Sequence, residues 1–224
     1  MSKLNFGKSI KRETVFEIAY KELKSAILSN QLDFEEYYTE EDFAKVLGIS
    51  RTPVREAVQG LVYDGLLQTV PRKGVKVRGF SKTEINQIFI LRRAIEKEVL
   101  MDFLKVVTEE QVQELKHILL EQRETVSKEN KQLFMKLDQK FHNQIIRGTN
   151  YFLIEEFFMR LHDLTVLIGH RAIRKKGRMH EVIEEHEAIL MAIEAKNIED
   201  AKTALLLHLD NTMKSYNSMD RSSN

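Results

Sequence analysis

The sequence predicts a mainly α protein in two parts: a small N-terminal helical unit closed by a β-hairpin, and a larger antiparallel α-helical bundle. Three observations predict it. Only two prolines and nine glycines interrupt 224 residues, so few positions break helices. Long stretches repeat apolar residues at i, i+3, i+4 and i+7, the stripe of an amphipathic helix. One region, Leu66–Phe80, replaces that period with short β-prone runs on either side of "PRKG", the pattern of a hairpin with a basic tip.

Each element has a local reason. "VFEIAYKELKSAILSNQ" places Val15, Ile18, Ala19, Leu23, Ala26 and Ile27 on one helical stripe. In "YYTEEDFAKVLGIS", Thr39 is an N-cap with Asp42 three residues on, standing in for the Glu or Gln of a capping box, and Gly48 ends the helix. The chain restarts at once in "SRTPVREAVQGLVYDGLL", where Ser50 is positioned to cap and Pro53 sits in the first turn. Two short helices about four residues apart form a helix-turn-helix. A second capping box, Ser81 with Glu84, opens the second part. Helices are expected there near 82–104, 108–126, 130–148, 150–171, 179–195 and 198–217. The expected domains are 1–79, 80–218 and a tail at 219–224.

Composition narrows the function. A hydrophobic fraction of 42% and a charged fraction of 31% are those of a chain that folds in water. The absence of cysteine excludes a disulfide framework, a thiolate metal site and a cysteine nucleophile, and fits a reducing compartment, so the expected location is cytoplasmic. No run of about 18 apolar residues occurs, and "MSKLNFGKSIKRETVFEI" has no signal-peptide core, so no membrane association is expected. A net charge of +1 points to no partner, but its distribution does. From Arg51 to Arg78 there are six Lys or Arg against two acids, clustered as a nucleic-acid surface requires.

Arg51 and Arg55 lie four residues apart at the start of the second helix, on one face. An α-helix fits the DNA major groove, and arginine matches the paired acceptors on the guanine edge. With the preceding helix and the hairpin, the arrangement is that of a winged helix-turn-helix, whose tip, Arg72, Lys73 and Gly74, would reach the neighbouring minor groove. Glycine at that tip would permit close backbone approach.

"ISRTPVREAVQGLVYDGLLQTVPRKGVKV" resembles the signature of GntR-family bacterial transcription regulators over roughly residues 10–79. The resemblance implies that Arg51, Thr52 and Arg55 contact bases and phosphates of double-stranded operator DNA, with Gly74 at the wing tip. Two positions depart from the family pattern. "QLDFEEYY" replaces the usual Leu-x-Pro-Gly after the first helix, and Glu41 stands where a basic DNA-contacting residue is common.

In the second part, Asp138 and His142 of "LDQKFHNQI" share a helix face at i and i+4, and His186 and His208 come from two later helices. Three imidazoles and a carboxylate suit a divalent metal ion (zinc, nickel, manganese or iron) and leave positions open. Taken singly, each histidine also suits a core or surface role. Such a set could in principle activate water, but no separate general base stands at a suitable spacing, so an enzyme is not expected.

Residues 81–218 resemble the FCD ligand-binding domain of the FadR-type branch of that family, on Arg92 and Glu96 of "LRRAIEKEVL", then D-x-x-x-H, an E-H-x-x-I-x-x-A-I block and a final histidine. The resemblance implies metal binding by Asp138, His142, His186 and His208, and a small carboxylate effector beside the metal with Arg92 as its partner. Arg92 equally suits an ion pair with Glu96. Without a metal, the same cluster would hold the effector directly. A homodimer on a near-palindromic operator, acting as a repressor, is the expected assembly. The basic run "HRAIRKKGRMH" is expected to be a solvated inter-helix loop. The stripe in "YFLIEEFFMRL" is expected to be core or dimer interface.

Overall fold

A computed structural model of the chain describes residues 13–220. The expected N-terminal boundary at residue 1 lies outside the described residues, as does the expected tail beyond its first two positions, which continue the last helix. The chain divides into two compact units: one runs to Ile27 and continues over Gln31–Arg78, and the other takes Leu28–Asn30 and resumes at Gly79.

The first unit contains α1 (Val15–Leu28), α2 (Glu40–Leu47), α3 (Arg51–Tyr63), β1 (Leu67–Val70) and β2 (Gly74–Val77). Its core is Ala19, Leu23 and Ile27 of α1, Phe43 and Ala44 of α2, Val54, Ala57, Val58 and Leu61 of α3, with Leu67, Val75 and Val77 from the hairpin. Thr39 and Asp42 form the capping box, and Gly48 takes the left-handed conformation (φ 67°) that terminates α2. Ser50 occupies the N-cap of α3 but makes no side-chain cap bond. The third helical residue is Pro53, which has no N–H to give, so one of the two backbone donors available to such a cap is missing. β1 and β2 are antiparallel, Leu67 opposite Val77 and Val70 opposite Gly74, and Tyr38 adds a one-residue bridge to Val75.

The second unit contains α4 (Lys82–Val106), α5 (Glu109–Ser127), α6 (Lys131–Arg147), α7 (Phe152–Ala172), α8 (Arg178–Glu194) and α9 (Ile198–Asp220). The boundaries differ from the expected ones by at most three residues, as helix ends do. Capping boxes start α4 (Ser81 with Glu84) and α5 (Thr108 with Gln111). Left-handed residues turn the chain between later helices: Glu129, Asn150 and Lys196. Neighbouring helices α5 and α6, α6 and α7, and α8 and α9 pack on each other, while α4 packs on α9, α6 and α7. Among the described residues no helix is long and apolar enough to cross a membrane.

Candidate metal centre and nucleic-acid interface

The first unit displays its polar residues on one side of α3. Val54, Ala57, Val58 and Leu61 turn inward, whereas Arg51, Thr52 and Arg55 are exposed. Arg55 donates through Nε to Glu40 Oε2 at 3.0 Å. Glu41 pairs with Lys45 one turn along α2. In the hairpin, Arg72 has φ 65° and Lys73 Nζ lies 4.5 Å from the centre of the Tyr37 ring, a cation–π contact. Gly74 is the first residue of β2, one past the turn, with φ 105°. A Cβ there would stand 2.3 Å from Tyr38 O. The close approach that demands glycine is therefore to the chain's own Tyr38–Val75 bridge.

In the second unit, the fold gathers the four residues expected as ligands. Asp138 and His142 lie on α6, His186 on α8 and His208 on α9. One donor atom from each falls within 4.8 Å of all the others. Donors at about 2.0–2.1 Å from a tetrahedral zinc ion stand about 3.4 Å apart, so the set closes on an ion by drawing inward. The imidazole centroids are 4.7 Å apart for His186 and His208, and 5.1 Å for His142 and His208. All three rings are buried, and Asp138 is only slightly exposed.

Each imidazole is held from behind through Nδ1. His142 Nδ1 meets Glu96 Oε2 at 2.8 Å, His186 Nδ1 meets Gln122 Oε1 at 3.0 Å, and His208 Nδ1 meets Glu185 Oε2 at 2.8 Å. A carboxylate and an amide oxygen only accept, so Nδ1 carries the proton and Nε2 keeps its lone pair. His142 Nε2 and His186 Nε2 are buried with no hydrogen-bond partner. Two orphaned acceptors beside a carboxylate are costly in a protein interior unless something electropositive satisfies them. The donor set fits a divalent cation, with Nε2 as the ligating atom and the Nδ1 acceptors orienting each ring.

Electrostatics support the same assignment. Burial pushes the His186 imidazole well below the ordinary histidine value, and lowers His208 despite its bond to Glu185, so both rings are neutral donors. Burial raises the Glu96 carboxyl, but the Arg92 guanidinium beside it and the hydrogen bond from His142 outweigh it and hold it well below the usual range. Burial likewise raises Glu185, and hydrogen bonds from His208 and Arg178 overcome it, leaving a value of about 2.

Arg92 makes the ion pair: Nε donates to Glu96 Oε1 at 2.5 Å, while Nη2 is buried without a partner. Arg178 departs from the solvated loop expected for its basic run. Arg174, Lys175 and Lys176 are exposed, but Arg178 opens α8 with a fully buried side chain that grips Glu185 through both terminal nitrogens at 2.6 and 2.7 Å. The reason is helical spacing, since Glu185 lies seven residues on, on the same face. Sequence reasoning also missed Gln122. Its signal was a polar residue continuing the apolar stripe of Leu115, Ile118 and Leu119 at i+7.

Comparisons with known proteins agree with both units. Residues 17–77 match the family described as "Bacterial regulatory proteins, gntR family", and residues 87–211 match the FCD domain. YdhC, an uncharacterised HTH-type transcriptional regulator of Bacillus subtilis, is 25% identical over 192 residues, 85% of this chain and 86% of its own. The gluconate operon transcriptional repressor of Bacillus subtilis is 27% identical over 193 residues, 84% of this chain and 78% of its own. The solved structure of Escherichia coli McbR/YncC superposes with a TM-score of 0.79 at 20% identity, covering 95% of this chain and all of that one, which shows a shared fold. The chain belongs to the GntR family of bacterial regulatory proteins and carries an FCD domain, and it is a DNA-binding transcription regulator.

Proposed function

We propose that this regulator is a cytoplasmic repressor that binds operator DNA as a homodimer and releases it when a small organic acid enters a metal-containing pocket of the FCD bundle. Arg51, Thr52 and Arg55 are the major-groove residues, and Arg72 and Lys73 reach the flanking minor groove from a hairpin that Gly74 lets close. Asp138, His142, His186 and His208 hold a divalent ion of the zinc, nickel, manganese or iron type. When bound, that ion supplies a Lewis-acidic centre with open positions for a carboxylate oxygen. Arg92, whose Nη2 has no partner, donates to the same carboxylate. The naming of the Bacillus subtilis relative as a repressor supports the direction of control.

The observation that carries the metal reading is the pair of orphaned Nε2 atoms, each on a ring fixed through Nδ1. Elemental analysis of chelator-free protein tests it. About one equivalent of metal in the native chain, and none in an Asp138→Ala, His186→Ala double variant, is the expected result. Equal content in the two proteins removes the metal from the reading. A gel-shift titration then tests the sign of control, and an acid that tightens operator binding overturns release.

A further inference from the structure

The last turn of α7 holds the chain at two places where it enters or leaves the second unit. His170, 5% exposed and outside the ligand set, has Nε2 2.8 Å from Leu28 O. A carbonyl oxygen only accepts, so Nε2 carries the proton and donates. Leu28 ends α1, where the last carbonyls have no partner within the helix. α1 belongs to the first unit through Ile27, whereas Leu28–Asn30 pack with the second. The neighbouring Arg171 donates from Nη1 to Tyr216 Oη at 3.2 Å, and Tyr216 Oη donates to Phe80 O at 3.4 Å. Phe80 follows Gly79, where the chain returns to the second unit.

The same helix abuts the ligand set. Thr165, Val166 and Gly169 of α7 line a cavity shared with Asp138 and His208. α6, which carries Asp138 and His142, lies so close to α7 that a Cβ on Gly169 would stand 2.2 Å from Met135 Cε. Met135 precedes Asp138 by three residues, and Gly169 precedes His170 by one. A close-packed interior passes a displacement on rather than absorbing it. The four donors draw inward to close on an ion, so filling the centre loads the α6–α7 contact one residue from His170.

We infer that His170 couples the metal centre to α1: its bond to Leu28 fastens the last turn of α1 into the cooperative unit of the metal-holding bundle, so that occupancy of the centre sets the stability of that turn. This rests on the metal reading above. Elements fastened together open together, and whatever binds the closed form slows opening throughout the unit they form. α1 supplies Ala19, Leu23 and Ile27 to the core of the DNA-binding unit, so the bond gives the centre a route to that core.

The test is amide hydrogen exchange of the full chain, stripped of metal and then with zinc added. Mass spectrometry reads peptides covering residues 26–31 and peptides from α6, α8 and α9. In the native chain zinc should slow exchange in both sets, by about fivefold or more at 26–31. In His170→Phe the slowing at 26–31 should vanish while that in α6, α8 and α9 remains. His170→Asn, polar and shorter than the reach to Leu28 O, should behave alike and serves if the phenyl ring prevents folding. His170→Gln, whose amide N–H can replace Nε2–H, should keep the slowing. A side chain that only filled space would not distinguish Gln from Asn. Zinc bound to the native chain without slowing at 26–31 overturns the inference, as does slowing that persists in His170→Phe or His170→Asn. Loss of the slowing in His170→Gln as well assigns the effect to packing and overturns the bond. Elemental analysis of each sample separates the readings, since absence of bound zinc sinks the metal reading and the coupling with it.

Discussion

Glu96 and His142 meet at 2.8 Å, carboxylate Oε2 accepting from imidazole Nδ1, with both side chains buried. The other Glu96 oxygen accepts from Arg92, so one carboxylate both orients a proposed metal ligand and neutralises a buried guanidinium. Glu96→Gln keeps an acceptor for His142 but removes the charge. It should weaken metal affinity by about 10–100-fold and, by leaving Arg92 without a counter-charge, destabilise the bundle by about 3–5 kcal/mol. Competition titration with a chromophoric chelator and urea denaturation read the two effects separately. Native-like values of both would show that this carboxylate serves neither role.

Metal removal has a stability signature of its own. A ligand that binds only the folded state stabilises it by about 2.7 kcal/mol at 100 times its Kd. Adding zinc or nickel to stripped protein should therefore raise the unfolding temperature by several degrees. His208→Ala should abolish the rise, since it deletes an imidazole, while Arg178 and Asn211 still hold Glu185. A thermal melt with and without chelator checks this, and an equal rise in the variant would place the ion elsewhere.

Gln122 is the amide that fixes His186, with Oε1 accepting from its Nδ1 and Nε2 donating to Phe134 O at 3.4 Å. Gln122→Leu, close to it in volume, should leave the His186 Nδ1–H buried and unsatisfied, at about 1–3 kcal/mol, and lower metal affinity. Gln122→Glu should preserve the ring orientation and lose less affinity. Metal titrations that rank the two variants the other way would contradict an orienting role.

How far the sequence went depends on whether a signal was local. The caps at Thr39, Gly48 and Ser81 were legible because the donor, acceptor and turn all lie within four residues. The four clustered residues were legible as candidates because Asp138 and His142 share a helix face. Their Nδ1 acceptors were not, because Gln122, Glu96 and Glu185 become partners only when separate helices pack. Arg178 was hidden by its neighbours: Arg174, Lys175 and Lys176 are solvated, and nothing in the basic run distinguishes the one arginine that faces Glu185. Ser50 read as a cap because residue type alone marks an N-cap, but it makes no cap bond, and Pro53 removes one of the two donors it could accept from.

Gly74 carries a conformational constraint that no other residue meets cheaply. Its φ of 105° and the 2.3 Å approach of Tyr38 O to a would-be Cβ mean that Gly74→Ala must open the Tyr38–Val75 bridge. A cost of about 1–3 kcal/mol to the first unit is expected. Operator affinity should fall while metal content is unchanged. Circular dichroism melts and gel shifts check it, and a variant with native stability and affinity would refute the packing argument.

Arg51 and Arg55 should be separable on DNA. Arg55 has Nε committed to Glu40, which fixes the guanidinium before DNA arrives, as a base-reading side chain requires. Arg51, the first residue of α3, sits where phosphates meet a helix N-terminus. Arg55→Ala should therefore cost about 1–3 kcal/mol on the operator and relax preference at one base pair. Arg51→Ala should weaken operator and non-specific DNA alike and reduce the slope of log affinity against log salt by about 1. Fluorescence anisotropy over a salt series, on operator and scrambled duplexes, distinguishes them. The reverse pattern would exchange the two roles, and loss of neither affinity would remove α3 from the interface.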